Sequence, residues 1–307
     1  RRHYDWSPLQ EEEIMGHYYD ENGQPNHFQI TQSGKNKGKK RPTTIRDAKK
    51  NGWLPSVTEV SSQLESNGLT TWKIRQALAH GHEIAYQHKH PDQTEVFINR
   101  SMGMLEEETT GYADFGTMVH EAIEKYILSE INGEELFLSD DEITFIDRWK
   151  SVVDDTFPNL VYLGTEVSFG NPILGYGGSV DVIAYDLILD TFVIPDLKTK
   201  KTTPGKTPYA SERYPLQLVA YRDGFDRFDK LDFSKCPQAK AKLNDRVYGF
   251  PPEDCAVGNL YISSTEDDRQ FWSEVDAPSK ADASKCFDLL RQMYFLRKGY
   301  DPTKASL

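Results

Sequence analysis

Asp181 and Asp196 stand 15 positions apart, each at or near the end of a segment that reads as a strand, and Lys198 follows two residues after Asp196. Side chains alternate along a strand, so Asp196 and Lys198 project from one face. Two carboxylates brought together repel, and each resists ionising unless a cation sits between them. A bound divalent metal answers that repulsion. Hard oxygen ligands for Mg2+, a water acidified by the ion and an ammonium facing a phosphorus centre are together what phosphodiester hydrolysis requires. Lys198 could orient the water, help to deprotonate it or stabilise transition-state charge, and the sequence leaves these roles open. By itself, Asp-x-Lys is weak evidence, because such tripeptides arise often by chance and a solvated strand end accounts for most of them.

The surrounding elements must position these groups. Residues 161–169, 179–185 and 191–194 alternate and are rich in β-branched types, which predicts three consecutive strands with turns at 170–172 and 186–190. Upstream, Phe115, Met118, Val119, Ala122, Ile123, Tyr126 and Ile127 form one apolar face of a helix starting near Asp114. His120 rides on it with Glu124 one turn on, and a further helix fits 139–156. Earlier helices are predicted over 70–89 and 92–108. Trp53-Leu54-Pro55-Ser56-Val57-Thr58 leads into this region, with Ser56 or Thr58 able to cap and Glu59 supplying first-turn charge. After Lys198 come a helix over 211–227 with Gln217 and Tyr221 on one face, strands over 257–263 and 270–275, and a closing helix over 280–298. Gly177 and Gly178, just before Asp181, permit close approach of a substrate or a neighbouring helix.

The series Gly116-Thr117-x-x-His120, Gly177-Gly178-x-x-Asp181, Asp196-x-Lys198-Thr199 and Gln217-x-x-x-Tyr221 resembles the motif series of the RecB-type branch of the PD-(D/E)xK nucleases. The resemblance covers about 114–264, and the order of predicted elements matches that family's αβββαβ core, a mixed central sheet flanked by helices. Residues 54–58 before a helical lobe also resemble the mitochondrial genome maintenance exonuclease and its phage-type relatives. The likeness implies that His120, Asp181, Asp196 and the Leu197 carbonyl bind Mg2+ or Mn2+, one ion or two, that Lys198 is catalytic, and that Gln217 and Tyr221 orient the site or contact DNA. Glu166 is either a further metal ligand or an exposed strand glutamate. The implied activity is exonucleolytic, on single-stranded DNA ends. A duplex-processing recombination exonuclease, a structure-specific endonuclease and an inactive nucleic-acid-binding module on the same fold stay open. Some RecB-type relatives carry a four-cysteine iron–sulfur cluster; the 3 Cys here, all after residue 235, predict none.

Composition bounds this reading. The 307 residues suit two units or one enlarged domain, and 12% aromatic residues supply enough ring surface for a core. We expect a basic, polar arm or loosely attached cap over 1–52, a helical lobe over 53–112 and the nuclease core over 113–307. The apolar runs fall short of a membrane span. Cys236, Cys255 and Cys286 lie 19 and 31 positions apart, which predicts neither a zinc site nor a disulfide framework but reduced thiols. The chain opens on Arg-Arg-His-Tyr, read as a trimmed or processed start, so the expected compartment is the cytoplasm by default, with an organelle open. A net charge of −12 opposes general polyanion binding unless cations are gathered locally. Lys198, Lys200, Lys201 and Lys206 fall within nine positions, and residues 35–41 hold five cations. Either run could track a phosphate backbone or lie solvated. Trp72, beside Lys73 and Arg75, is the ring expected to stack on an unpaired base.

Overall fold

The computed structural model describes residues 17–64, 67–87, 94–200, 211–263 and 270–304. In chain order, short strands β1 (Tyr18–Tyr19), β2 (Phe28–Ile30) and β3 (Lys40–Pro42) precede α1 (Ile45–Asn51), β4 (Leu54–Pro55) and α2 (Val57–Ser61). Then come α3 (Asn67–Gln87), α4 (Thr94–Asn132) and α5 (Asp140–Thr156). Strands β5 (Leu160–Asn171), β6 (Tyr176–Asp186) and β7 (Thr191–Lys200) lead to α6 (Arg213–Gly224) and α7 (Pro237–Lys242). β8 (Cys255–Ser263), β9 (Phe271–Glu274) and α8 (Ala277–Lys298) follow.

Strands β5 to β9 form one mixed sheet in sequential order. Only β7 and β8 run parallel, because a helical crossover separates them, and the other neighbours are antiparallel. On one face Val119, Ile123 and Ile127 of α4 and Trp149 of α5 bury against Val182, Leu197 and Leu260. On the other, Val57, Val219 and Phe287 from α2, α6 and α8 pack on Ile183, Ile194 and Val257. The architecture is therefore α/β with helices covering both sheet faces, as central β7, apolar on both sides, demands.

Two expectations change. The helices predicted over 92–108 and from Asp114 are one 39-residue helix, so the boundary expected at 112–113 falls inside α4. No proline interrupts 94–132, and the glycines at 103, 111 and 116 weaken a helix without breaking it. Residues 17–52, the described part of the segment expected to be loosely attached, are stitched to the body. Tyr18 and Tyr19 are buried, β1 pairs with β4, and Ser56 bridges Gly177 of β6. Ser56 is the cap of α2, accepting from the Glu59 N–H at 3.0 Å. Lys201 and Lys206 lie outside the described residues.

Gly178 shows why the small pair before Asp181 is needed: a Cβ there would stand 2.9 Å from the Tyr221 ring and 3.1 Å from that of Phe169. The approaching element is helix α6. We predict that Gly178→Ala lowers unfolding stability by about 1–3 kcal/mol through overpacking. Gly103→Ala, in open space on α4, raises it by up to about 1 kcal/mol through helix propensity. Chemical denaturation of the two variants checks both signs.

Candidate metal centre

The site forms where β6 and β7 part. Their ladder covers only Ala184–Asp186 against Thr191–Val193, whereas β7 stays paired with β8 through Lys200. Beyond Val193 the β6-facing edge of β7 therefore has backbone groups to satisfy. Asp181 fills the gap: its Oδ2 accepts the Leu197 N–H at 2.8 Å. A strand residue's N–H and C=O point to the same edge, so the Leu197 carbonyl faces this opening as well.

Asp196 and Lys198 alternate with Leu197, whose side chain packs towards α4 and α5. Asp196 is 1% exposed. Its Oδ2 accepts from Lys198 Nζ at 2.5 Å and from Asn259 Nδ2 at 2.8 Å. Its Oδ1 is buried and has no partner among the described residues. A buried carboxylate oxygen left bare is costly, and a cation is the partner that its charge calls for.

From the other side, α4 delivers His120. Its Nδ1 lies 3.6 Å from Glu166 Oε1 and 3.9 Å from Asp181 Oδ2. His120, Glu166 and Asp181 each offer a ligand atom, all within 4.8 Å of one another. Glu166 has a backbone cause for its direction. It lies between the Thr165–Val182 and Val167–Val180 pairs, opposite Asp181, with φ +49°. A left-handed conformation costs a side-chain-bearing residue about 1–2 kcal/mol. Such strain persists only where neighbours impose it, and functional sites are where it gathers. Gly116, Thr117, His120, Glu121, Glu124 and Glu166 line a cleft of about 600 Å³ above the cluster.

The electrostatics follow from burial. Desolvation and the neighbouring Asp196 push the Asp181 carboxyl up to about 7. Burial opposes charge on His120, but Glu166 and Asp181 outweigh it and hold the imidazole above its usual value. Lys198 is likewise desolvated, yet Asp196 and Asp181 raise it. Behind the acids, Gln217 Nε2 donates to Tyr221 Oη at 2.7 Å. Burial and the charges of Asp196 and Asp181 keep that phenol well above its ordinary range.

A second cleft, about 390 Å³, lies between Trp72, Gln76, Glu108, Tyr112, Phe115, Thr199 and Lys200. It adjoins the first along α4, since Gly116 faces Thr199 and lines the larger cleft. Trp72 meets Tyr112 edge-on at 6.4 Å. The Lys200 ammonium lies 4.9 Å from the Tyr214 ring, and burial and Lys198 lower it to about 8.

No protein-family model and no curated protein matches the chain. A solved structure titled "Crystal structure of SSO0001" is similar at 15% identity and a TM-score of 0.22, over 56% of this chain and 73% of that one.

The sequence-predicted His120, Glu166, Asp181, Asp196, Leu197 and Lys198 thus converge, with Gln217 and Tyr221 behind them; Trp72 and Lys200 share the neighbouring cleft. Sequence reasoning missed Asn259, whose signal was an amide inside a buried strand, and Tyr214, whose ring stands 5.2 Å from the Lys198 ammonium.

The donor set, one imidazole with several carboxylates, fits a hard divalent cation with some tolerance for Mn2+. In EDTA the raised Asp181 pKa favours the folded state at low pH, and that contribution is lost as pH rises from the unfolded carboxylate value through about 7. Wild type should therefore lose stability relative to Asp181→Asn between pH 5 and pH 8. Mg2+ or Mn2+ should raise the wild-type Tm more at pH 8 than at pH 6, and the variant's Tm little at either. Thermal melts across pH, with and without metal, check both.

Proposed function

We propose that the protein is a divalent-metal-dependent deoxyribonuclease on a PD-(D/E)xK core of the RecB type, acting from single-stranded DNA ends. The observation that carries this reading is the meeting of Asp181, Asp196 and Lys198 at the opening between β6 and β7, with His120 brought in by α4. It is the set that metal-assisted phosphodiester hydrolysis needs, built around a buried carboxylate oxygen that lacks a partner.

Mg2+ or Mn2+, when bound, supplies Lewis acidity and an acidified water. His120, Glu166, Asp181, Asp196 and the Leu197 carbonyl would hold the ion. Asn259 and Lys198 share one oxygen of Asp196, which leaves the other for the cation. Lys198 is kept charged by two carboxylates, so it serves as a donor and positive charge towards a phosphoryl oxygen rather than as a base. Gln217 occupies the Tyr221 oxygen as a donor, which frees the phenol proton for the acids or the scissile phosphate.

The preference for a single strand is supported by the second cleft. Trp72, Tyr112 and Phe115 offer ring faces for an unpaired base, and Lys200 and Thr199 offer phosphate contacts one strand-end away from Lys198. Among the described residues no helix is long and apolar enough to cross a membrane.

End-labelled linear single strands, circular single strands and linear duplex, incubated in Mg2+, Mn2+, Ca2+ or EDTA, test the reading. Loss of the linear single strand alone is expected, with Mn2+ at least as effective as Mg2+ and with Ca2+ and EDTA inactive. Lys198→Ala should lower the rate by about a hundredfold or more. Trp72→Ala should weaken single-strand binding by about 1–3 kcal/mol. Cleavage of the circle at the same rate points to an endonuclease instead, and unchanged cleavage by Lys198→Ala overturns the assignment of this site.

A further inference from the structure

Residues 34–50 hold eight cations against the single acid Asp47, in a chain whose net charge is −12. The run is a folded surface. Phe28 pairs with Pro42 and Ile30 with Lys40 across the β2–β3 hairpin, and its turn is closed by Gly38 and Lys39 against Thr31. Arg41 holds both oxygens of Asp47, at 2.7 and 2.8 Å, while Asp47 also completes the capping box of α1. That fork joins hairpin to helix and uses up the one acid. Ala48 anchors α1 in a cluster with Tyr18 and Tyr300.

What is left over faces solvent. Lys35, Lys37, Lys39 and Lys40 on the hairpin and Arg46, Lys49 and Lys50 on α1 are exposed. Among the described residues none of the seven forms an ion pair; the pair of this region is Arg41–Asp47. Gathering like charge on one surface costs self-repulsion, which a polyanion relieves. Apolar surface sits among the cations: Phe28 is 42% and Ile30 51% exposed, and the Lys40 ammonium lies 3.9 Å over the Phe28 ring. One exposed ring beside ammonium groups suits a base next to its phosphates.

The hairpin also leaves the body beside the metal centre. At its base His27 accepts from the Thr43 N–H at 2.9 Å and meets the Tyr19 ring at 5.2 Å. Tyr19 in turn packs on β6 four residues before Asp181, where a Cβ on Gly177 would stand 2.9 Å from the Tyr19 Cβ.

We propose that the β2–β3 hairpin and α1 form a second binding surface for a DNA phosphate backbone, which holds the length of strand outside the cleft over His120. The proposal rests on the nuclease reading and adds to it a separate grip on the substrate. Binding of a long labelled single strand, followed by fluorescence anisotropy in EDTA over a range of salt, tests it with the full chain. One variant combines Lys35→Gln, Lys37→Gln, Lys39→Gln and Lys40→Gln; a second combines Arg46→Gln, Lys49→Gln and Lys50→Gln. A control combines Lys230→Gln, Lys240→Gln, Lys285→Gln and Lys304→Gln, which removes as much charge elsewhere.

The hairpin variant should lose about tenfold or more in affinity near 0.1 M salt, and its slope of log K on log salt should be shallower by about 2–3. The helix variant should move in the same direction and the control should keep the wild-type slope. Wild-type slopes in both test variants, or an equal loss in the control, overturn the proposal. So does a hairpin variant that keeps its DNA affinity but loses binding to anionic phospholipid vesicles. A wild-type protein that binds with the expected slope and cleaves nothing sinks the nuclease reading while this surface stands; cleavage intact with slopes unchanged sinks the surface alone.

Discussion

Mutual repulsion between buried carboxylates is the constraint around which this molecule is arranged. Asp181 and Asp196 share a notch in the sheet with Glu166 close by, and desolvation raises the cost of each negative charge. The chain offsets part of that cost with its own cations. Lys198 pairs with Asp196, His120 sits between Glu166 and Asp181, and two amide donors, Leu197 N–H and Asn259 Nδ2, take one oxygen each. The offset is incomplete: one carboxylate oxygen stays bare, and Asp181 holds its proton to near neutrality. A divalent ion would complete it, and groups poised this far from their ordinary protonation are what the proposed chemistry draws on.

The rest of the fold serves that notch. The β6–β7 ladder stops at Ala184 and Val193, while β6 keeps β5 and β7 keeps β8 on their outer edges. Continuous α4 carries His120 over the opening and, four residues earlier, sets Gly116 against Thr199 at the end of β7. Small residues at 177 and 178 let β1 and Tyr221 close in behind the acids. Positive φ at Glu166 turns its side chain to the same point, a local cost carried by the surrounding sheet.

Much of this was legible beforehand, for identifiable reasons. Strands β5 to β7 carry period-two alternation, and the 3.6 period around His120 marks the face that buries. Asp-x-Lys on a strand fixes the relative direction of two side chains without further information. Period does not report where one helix ends and the next begins, so α4 was divided. Nor does a polar composition reveal a stitched segment: the seam at Tyr18, Tyr19 and Ser56 depends on partners more than a hundred residues away, such as Tyr294 and Gly177. Asn259 and Tyr214 were hidden for the same reason, because their roles exist only once β8 and α6 lie beside β7.

Proton release on metal binding reaches the central claim most directly. Titration calorimetry of Mn2+ into the protein near pH 6.5, in buffers of different ionisation enthalpy, counts the protons displaced. The account predicts saturable binding with release of about one proton or more, because Asp181 and His120 must give theirs up to bind the ion, and loss of that signal in Asp181→Asn. Absence of binding, or binding with no proton released, would contradict it.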